Sequence, residues 1–211
     1  ARFRFDPRPE MASLCFLVVL LSILHGSRRP GGGRWAWLLP PLFLLWANTH
    51  PGAILGAALL VLWVLGEWLQ GLLRGEGFPG GLRRALLCLL SPLALLANPW
   101  GWRLLRVPFE IRRIVLSGHA PNLEWAPPGF GQFPLFHLSV LAGILVLASG
   151  FRRVDLPPVL VTAAVTVLAF QHLRNLGFFF LLLPLALARP AAALEKRIRL
   201  PGRAGRILAA V

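Results

Sequence analysis

The chain has 211 residues, 56% of them hydrophobic and 14% charged, with a mean hydropathy of +0.68. An ordinary soluble domain carries about 25% charged residues, and a chain this size lacks the polar surface to cover so many apolar runs in water. The composition therefore excludes a conventional soluble fold and predicts an all-α, polytopic transmembrane helix bundle. The net charge of +14 does not signal nucleic-acid binding, because the arginines stand at the ends of apolar runs, where they orient a membrane protein and meet lipid headgroups.

Seven membrane segments are expected, in the order 11–25, 35–48, 53–72, 85–97, 133–149, 156–172 and 176–188. The second, fourth and seventh are short and contain proline: Pro40 and Pro41, Pro92, and Pro184. Proline removes a backbone donor and clashes one turn back, so these segments are expected to be kinked or tucked between neighbours. The stretch from Trp35 to Leu72 would be about 57 Å long as one helix, nearly twice a hydrocarbon core. Pro51-Gly52 predicts two antiparallel helices joined by a tight turn at Asn48–Gly52. Residues 98–132 form the one long loop. Within it Arg103, Arg106, Glu110 and Arg113 share one helical face opposite several apolar residues, which predicts an amphipathic surface helix interrupted near Pro108. Residues 191–211 are a basic tail. The two cysteines, Cys15 and Cys88, lie inside apolar runs and read as small hydrophobes rather than a disulfide. Because the chain opens on Ala and its one Met is Met11, a segment of a longer protein is expected.

Alternating these segments across a bilayer sorts the basic residues. The side opposite the N-terminus receives Arg28, Arg29, Arg34, Arg74, Arg83, Arg84, Arg152, Arg153, Arg189, Lys196, Arg197, Arg199, Arg203 and Arg206, which is 14 of the 22. The N-terminal side receives Arg2, Arg4, Arg8, Arg103, Arg106, Arg112, Arg113 and Arg174, the other 8. By the positive-inside rule the first side is cytoplasmic. Of the eight tryptophans only Trp63 falls mid-span. The abundance of Arg over Lys, with Leu, Ala, Gly and Pro, is that of a GC-rich bacterial genome, and a bacterial inner membrane is the expected location.

The extracytoplasmic side is the chemically rich one. His50, His119, His137 and His172 lie on it or nearer to it, as do Asp6, Glu10, Glu110 and Glu124. Polar side chains gathered at helix ends on one face suit an embedded cleft, in which cations bind a lipid-linked phosphate and carboxylates act as bases or ligands. The candidate substrate-binding residues are Arg8, His50, Glu124, Arg174 and Asn175. Four of the five have a plainer reading: Arg8 approaches a helix N-terminus, His50 occupies a polar turn, Glu124 stands beside an interfacial Trp, and Arg174 snorkels. No metal framework is visible, no cofactor is expected, and no self-sufficient catalytic motif occurs.

Certain turns carry a family resemblance. Arg8-Pro-Glu10 opening a helix, Trp46-Ala-Asn48-Thr-His50-Pro-Gly52 after a Leu-Pro-Pro-Leu stretch, Asn98-Pro-Trp-Gly101, Glu124-Trp125 and Arg174-Asn175 follow one another in an order that resembles a group of bacterial polytopic proteins. Those in turn look related to the GT-C glycosyltransferases, the superfamily of the dolichyl-phosphate-mannose-protein mannosyltransferases. The resemblance spans residues 2 to 189. The chain departs from it at His50-Pro51-Gly52, where the group has His-Gly-Gly. It also lacks a match for the catalytic acid that GT-C enzymes carry in their first extracytoplasmic loop. The resemblance implies transfer of a sugar from a polyprenyl-phosphate carrier, with membrane lipids and that carrier as the partners. The alternatives are a transporter or flippase for a lipid or small solute, and a non-catalytic membrane scaffold.

The arginine distribution makes a direct prediction. With native cysteines removed, a cysteine at Ala120 should react with an impermeant maleimide added outside intact cells, and one at Gly202 only after the membrane is opened; the reverse pattern would invert the topology.

Overall fold

In the computed structural model, residues 9–117 and 123–197 are described. Arg8 and most of the basic tail fall outside them. Among the described residues the secondary structure is entirely helical, and the chain divides into two compact units, residues 1–126 and 127–211. Three stretches are long and apolar enough to cross a membrane: Glu10–Ser27, Ala53–Arg74 and Leu173–Glu195. A fourth arises if the bent pair Gly81–Leu96 and Gly101–Val115, which turns through 101°, counts as one span. Large apolar side chains along the helices face outward, among them Leu45, Leu72, Leu73 and Leu135. Such faces are a liability in water and are what lipid covers.

The first unit comprises α1 (Pro9–Ser27), α2 (Leu39–Ala47), α3 (Ala53–Arg74), α4 (Gly81–Leu90) and α5 (Val107–Leu116). A 3-10 helix, Gly32–Leu38, leads into α2, and another, Ser91–Leu96, extends α4. Side-chain contacts tie these elements at two ends. At one end Ser13, Trp46, His50 and Gly52 meet, and Asn48 Nδ2 donates to Ala97 O at 2.9 Å. At the other, Ser27, Glu67 and Arg84 meet, and the Trp35 ring lies against Gly26. Hence α1 and α3 run one way while α2 and α4 run the other. The distances agree. Ser13 to Gly26 rises about 20 Å and Gly52 to Glu67 about 22 Å at the α-helical pitch. Trp35 to Trp46 and Arg84 to Ala97 cover about 18 and 22 Å, their 3-10 turns rising about 2 Å per residue.

This explains the short, proline-bearing segments. Pro40 stands in the first turn of α2, and Pro92 in the first turn of the 3-10 helix after α4. Each follows directly on another helical segment, so the N–H that proline lacks falls at the junction between the two. The prolines mark where α and 3-10 geometry meet. The long loop behaves alike: Gly101–Arg106 is a 3-10 helix and Pro108 falls in the first turn of α5. The predicted break near Asn48–Gly52 is present, with α2 ending at Ala47 and α3 opening at Ala53.

The second end of this unit holds a buried ion pair. The Glu67 side chain has no exposed surface and that of Arg84 has 1%. Arg84 Nη1 donates to Glu67 Oε2 at 2.7 Å and Nη2 to Oε1 at 2.9 Å, a two-pronged fork. Trp63 Nε1 donates to the same Oε1 at 2.9 Å from one turn earlier on α3. Arg84 Nε reaches Ser27 Oγ on α1 at 2.9 Å, and Nη1 also reaches Pro79 O at 3.0 Å. Gly80 has φ 75°, and a Cβ there would stand 2.6 Å from Arg84 Cδ, so glycine is needed for the loop to wrap the arginine.

The second unit contains α6 (Pro134–Ser149), α7 (Leu156–Gln171) and α8 (Leu176–Arg197). The Phe136 ring meets Phe179 at 5.0 Å and Phe170 at 4.8 Å, while Gly150 lies against Pro190. Thus α6 and α8 run together and α7 runs back between their ends. Thr162 Oγ1 stitches α7 to α8 through Leu182 O at 3.2 Å. Pro184, expected to shorten or kink its segment, lies inside one helix that continues to Arg197.

Removing Glu67 strands the Arg84 charge, and removing Arg84 leaves Glu67 only Arg28, whose Nε is 3.4 Å from Oε1. Breaking a buried pair typically costs on the order of 3–5 kcal/mol, whereas replacing both members with apolar residues costs far less. Glu67→Gln and Arg84→Met should therefore each lower the unfolding midpoint in detergent, measured by circular dichroism, more than Glu67→Leu/Arg84→Met together. Equal or additive losses would show that the two charges are not coupled.

Candidate functional site

The polar end of the first unit is built around His50. It follows α2 in the turn Asn48–Gly52, and its amide donates to Trp46 O at 2.9 Å. Its Nδ1 takes two contacts, Ser13 Oγ at 2.7 Å and the Gly52 amide at 3.0 Å. A backbone amide only donates, so Nδ1 is the acceptor and in the neutral ring the hydrogen sits on Nε2. Ser13 must then give its hydroxyl hydrogen to Nδ1. Its oxygen in turn accepts Trp46 Nε1–H at 2.9 Å. The result is a directed chain from Trp46 through Ser13 to His50, and it fixes both the ring's orientation and its tautomer.

Each link has a local cause. Ser13 is fully buried on α1 and Trp46 is 1% exposed on α2. Phe16, one turn after Ser13, stacks on Trp46 at 5.5 Å. The indole fits because α3 offers no side chain in its path: a Cβ on Gly56 would stand 2.4 Å from Trp46 Cζ3. A Cβ on Gly52 would stand 2.2 Å from Ser13 Oγ and 2.8 Å from His50 Nδ1. Ser13, buried and already paired, is a positioning residue and no nucleophile. His50 is half-buried at the rim.

The neighbouring turns are held by asparagines. Asn48 Nδ2 reaches Leu44 O at 2.7 Å as well as Ala97 O. Asn98 Nδ2 bonds Leu95 O and Gly101 O, while its Oδ1 accepts the Trp100 amide at 2.7 Å. These two staple the turn pair and account for the Asn-x-His and Asn-Pro-x-Gly sequences without a ligand.

The other predicted residues are distributed as follows. Arg8 lies outside the described residues. Glu124 is half-exposed in the 3-10 turn Leu123–Trp125 of the first unit. Arg174 and Asn175 occupy the 3-10 turn Leu173–Asn175 between α7 and α8 of the second. Arg174 is half-buried there. Asn175 Nδ2 donates to Leu168 O at 2.9 Å, closing the C-terminus of α7, so its visible role is structural. Among the described residues no group of three His, Cys, Asp or Glu side chains is placed to hold a metal ion.

The sequence reading passed over Ser13, and also Glu67 with Arg84. A hydroxyl among apolar neighbours near the start of α1, one turn from Phe16, was the available signal for the first. For the second it was Trp63 four residues before Glu67, one helical turn apart.

Ser13→Ala strands the buried Trp46 N–H and should cost about 1–3 kcal/mol of stability. It should also free the His50 ring to change tautomer, read from the 15N shifts of labelled histidine. Ser13→Thr keeps the hydroxyl and should retain the wild-type tautomer; a ring unmoved by Ser13→Ala would contradict the relay.

Comparison with protein-family models, with curated proteins and with solved structures finds no match to this chain.

Proposed function

We propose that this chain is part of a bacterial inner-membrane glycosyltransferase-like protein of GT-C type. It crosses the bilayer seven times and passes a sugar from a polyprenyl-phosphate carrier to an acceptor outside the cytoplasm. The observation that carries the reading is the fixed His50 ring at one end of the first unit, oriented by Ser13, Trp46 and Gly52. A rigidly presented imidazole at a helix-end turn suits an anionic headgroup better than a water-filled pathway does.

Two further features support it. The similar lengths of four successive helical stretches in the first unit suit antiparallel spans with His50 and Asn48 at one face and Arg84 at the other. The arginine count puts the His50 face outside. Arg8, His50, Glu124, Arg174 and Asn175 then belong to the same side. Arg174 is held in a very short turn, and its guanidinium offers a planar fork for phosphate oxygens. The catalytic carboxylate is not assigned to any residue of this chain.

The test is made in the full-length protein with a polyprenyl-phosphate sugar in membrane vesicles. Arg174→Ala and His50→Ala should each lower carrier binding or turnover by roughly 10- to 100-fold, the worth of a charge-assisted hydrogen bond. Insertion and expression should persist, and Arg174→Lys should recover only part of the loss. Full recovery by Lys, with a small His50→Ala effect, would mean that Arg174 only meets headgroups.

A further inference from the structure

The end of the first unit opposite His50 presents a second feature, unrelated to sugar transfer. The 3-10 helix Gly32–Leu38 buries Gly32 and Ala36 and turns Arg34, Trp35, Trp37 and Leu38 outward. It is pressed onto α1: a Cβ on Gly32 would stand 2.2 Å from Gly26 O. In a 3-10 helix, side chains three residues apart eclipse one another, so Arg34 and Trp37 share one face. From α4, Arg83 places its guanidinium carbon 5.4 Å from the Trp37 ring centroid. Two exposed arginines from different elements therefore flank one indole.

Nothing acidic answers them. Glu67 on α3 has both oxygens engaged by Arg84, Trp63 and Arg28. Glu76 is exposed, and among the described residues no ion pair involves Arg34 or Arg83. Trp37 is 53% exposed, and its indole N–H makes no hydrogen bond among the described residues. An indole half in and half out of apolar surroundings, with its N–H open and guanidinium groups beside it, is the arrangement found at the headgroup level of a bilayer.

We propose that Arg34, Trp37 and Arg83 form a binding site for the phosphodiester of an anionic phospholipid in the leaflet at this end. The guanidinium forks and the indole N–H take the phosphate oxygens, and the exposed Leu38 and Leu86 accompany the acyl chains. The stacking of Arg83 on Trp37 pre-orders one fork before the lipid arrives, which cuts the entropy lost on binding. The ring and the paired forks make this a site rather than a diffuse positive surface.

The full chain, purified in lipid nanodiscs, tests it by native mass spectrometry of retained lipid. With equimolar phosphatidylglycerol and phosphatidylcholine, the wild type should retain the anionic lipid several-fold over the zwitterionic one. Arg34→Gln/Arg83→Gln should abolish that preference, and Trp37→Phe should weaken it, since the ring stays and the N–H goes. Arg29→Gln/Arg74→Gln removes the same charge from exposed positions near this end and should leave the preference intact. An equal loss in the two double variants would reduce the proposal to general surface charge and overturn it. So would displacement of the lipid by millimolar inorganic phosphate, which would make the ligand a free anion. If the Arg34→Gln/Arg83→Gln protein fails to fold, Trp37→Phe decides: an undiminished preference overturns the proposal.

Discussion

A carboxylate with no exposed surface stays ionised only if donors surround it, because an isolated buried charge costs far more than a fold can supply. Glu67 meets that condition with three hydrogen-bonding N–H groups, the Trp63 indole on its own helix and both arms of the Arg84 fork from α4, and with a second cation, Arg28 after α1, whose Nε lies 3.4 Å from Oε1. Ser27 on α1 and Pro79 in the α3–α4 loop accept two of the remaining Arg84 hydrogens. The demand of one acid therefore fixes where α1, α3 and α4 end relative to each other. It also dictates a loop tight enough to need glycine at position 80.

The opposite end of this unit obeys the same rule with neutral groups. Trp46, Ser13 and His50 each need a partner once buried, and they satisfy one another in a single chain of donors. Gly56 lets the bulky indole reach the backbone of α3, and Gly52, a helical turn earlier, leaves room for the Ser13 hydroxyl and the His50 ring. With both ends pinned, the intervening elements must be the same length. α1 and α3 meet that as plain α-helices. The elements at α2 and α4 have less regular helix, and they make up the distance with the longer rise of 3-10 turns. Polar order at the two ends thus sets the backbone geometry of the apolar middle.

Much of the helical layout was legible in the sequence. The apolar runs located the helices, and Pro51-Gly52 located the break between α2 and α3. Proline was harder to read, because the same residue starts α2 and the 3-10 helix after α4 yet lies inside α8, and only the surrounding carbonyls decide which. Arg84 was counted with the loop charges, since its burial depends on Glu67, seventeen positions earlier in the chain. Of the candidate site, the turn at His50 was visible as a polar cluster. What orients the ring was not, because Ser13 is distant in sequence and marked only as a hydroxyl among apolar neighbours. Asn175 shows the converse: it looked like a ligand residue, and its amide closes a helix.

The central claim is that the His50 turn and the Arg84–Glu67 pair lie at opposite faces of the membrane, joined by antiparallel crossings. Thr49 and Arg29 are exposed and stand at these two ends. Single cysteines at the two positions, in a protein without Cys15 and Cys88, can be labelled with an impermeant maleimide in intact cells. The account predicts that the cysteine at 49 reacts from outside and the one at 29 only after the membrane is opened. Reaction of both from the same side would contradict it.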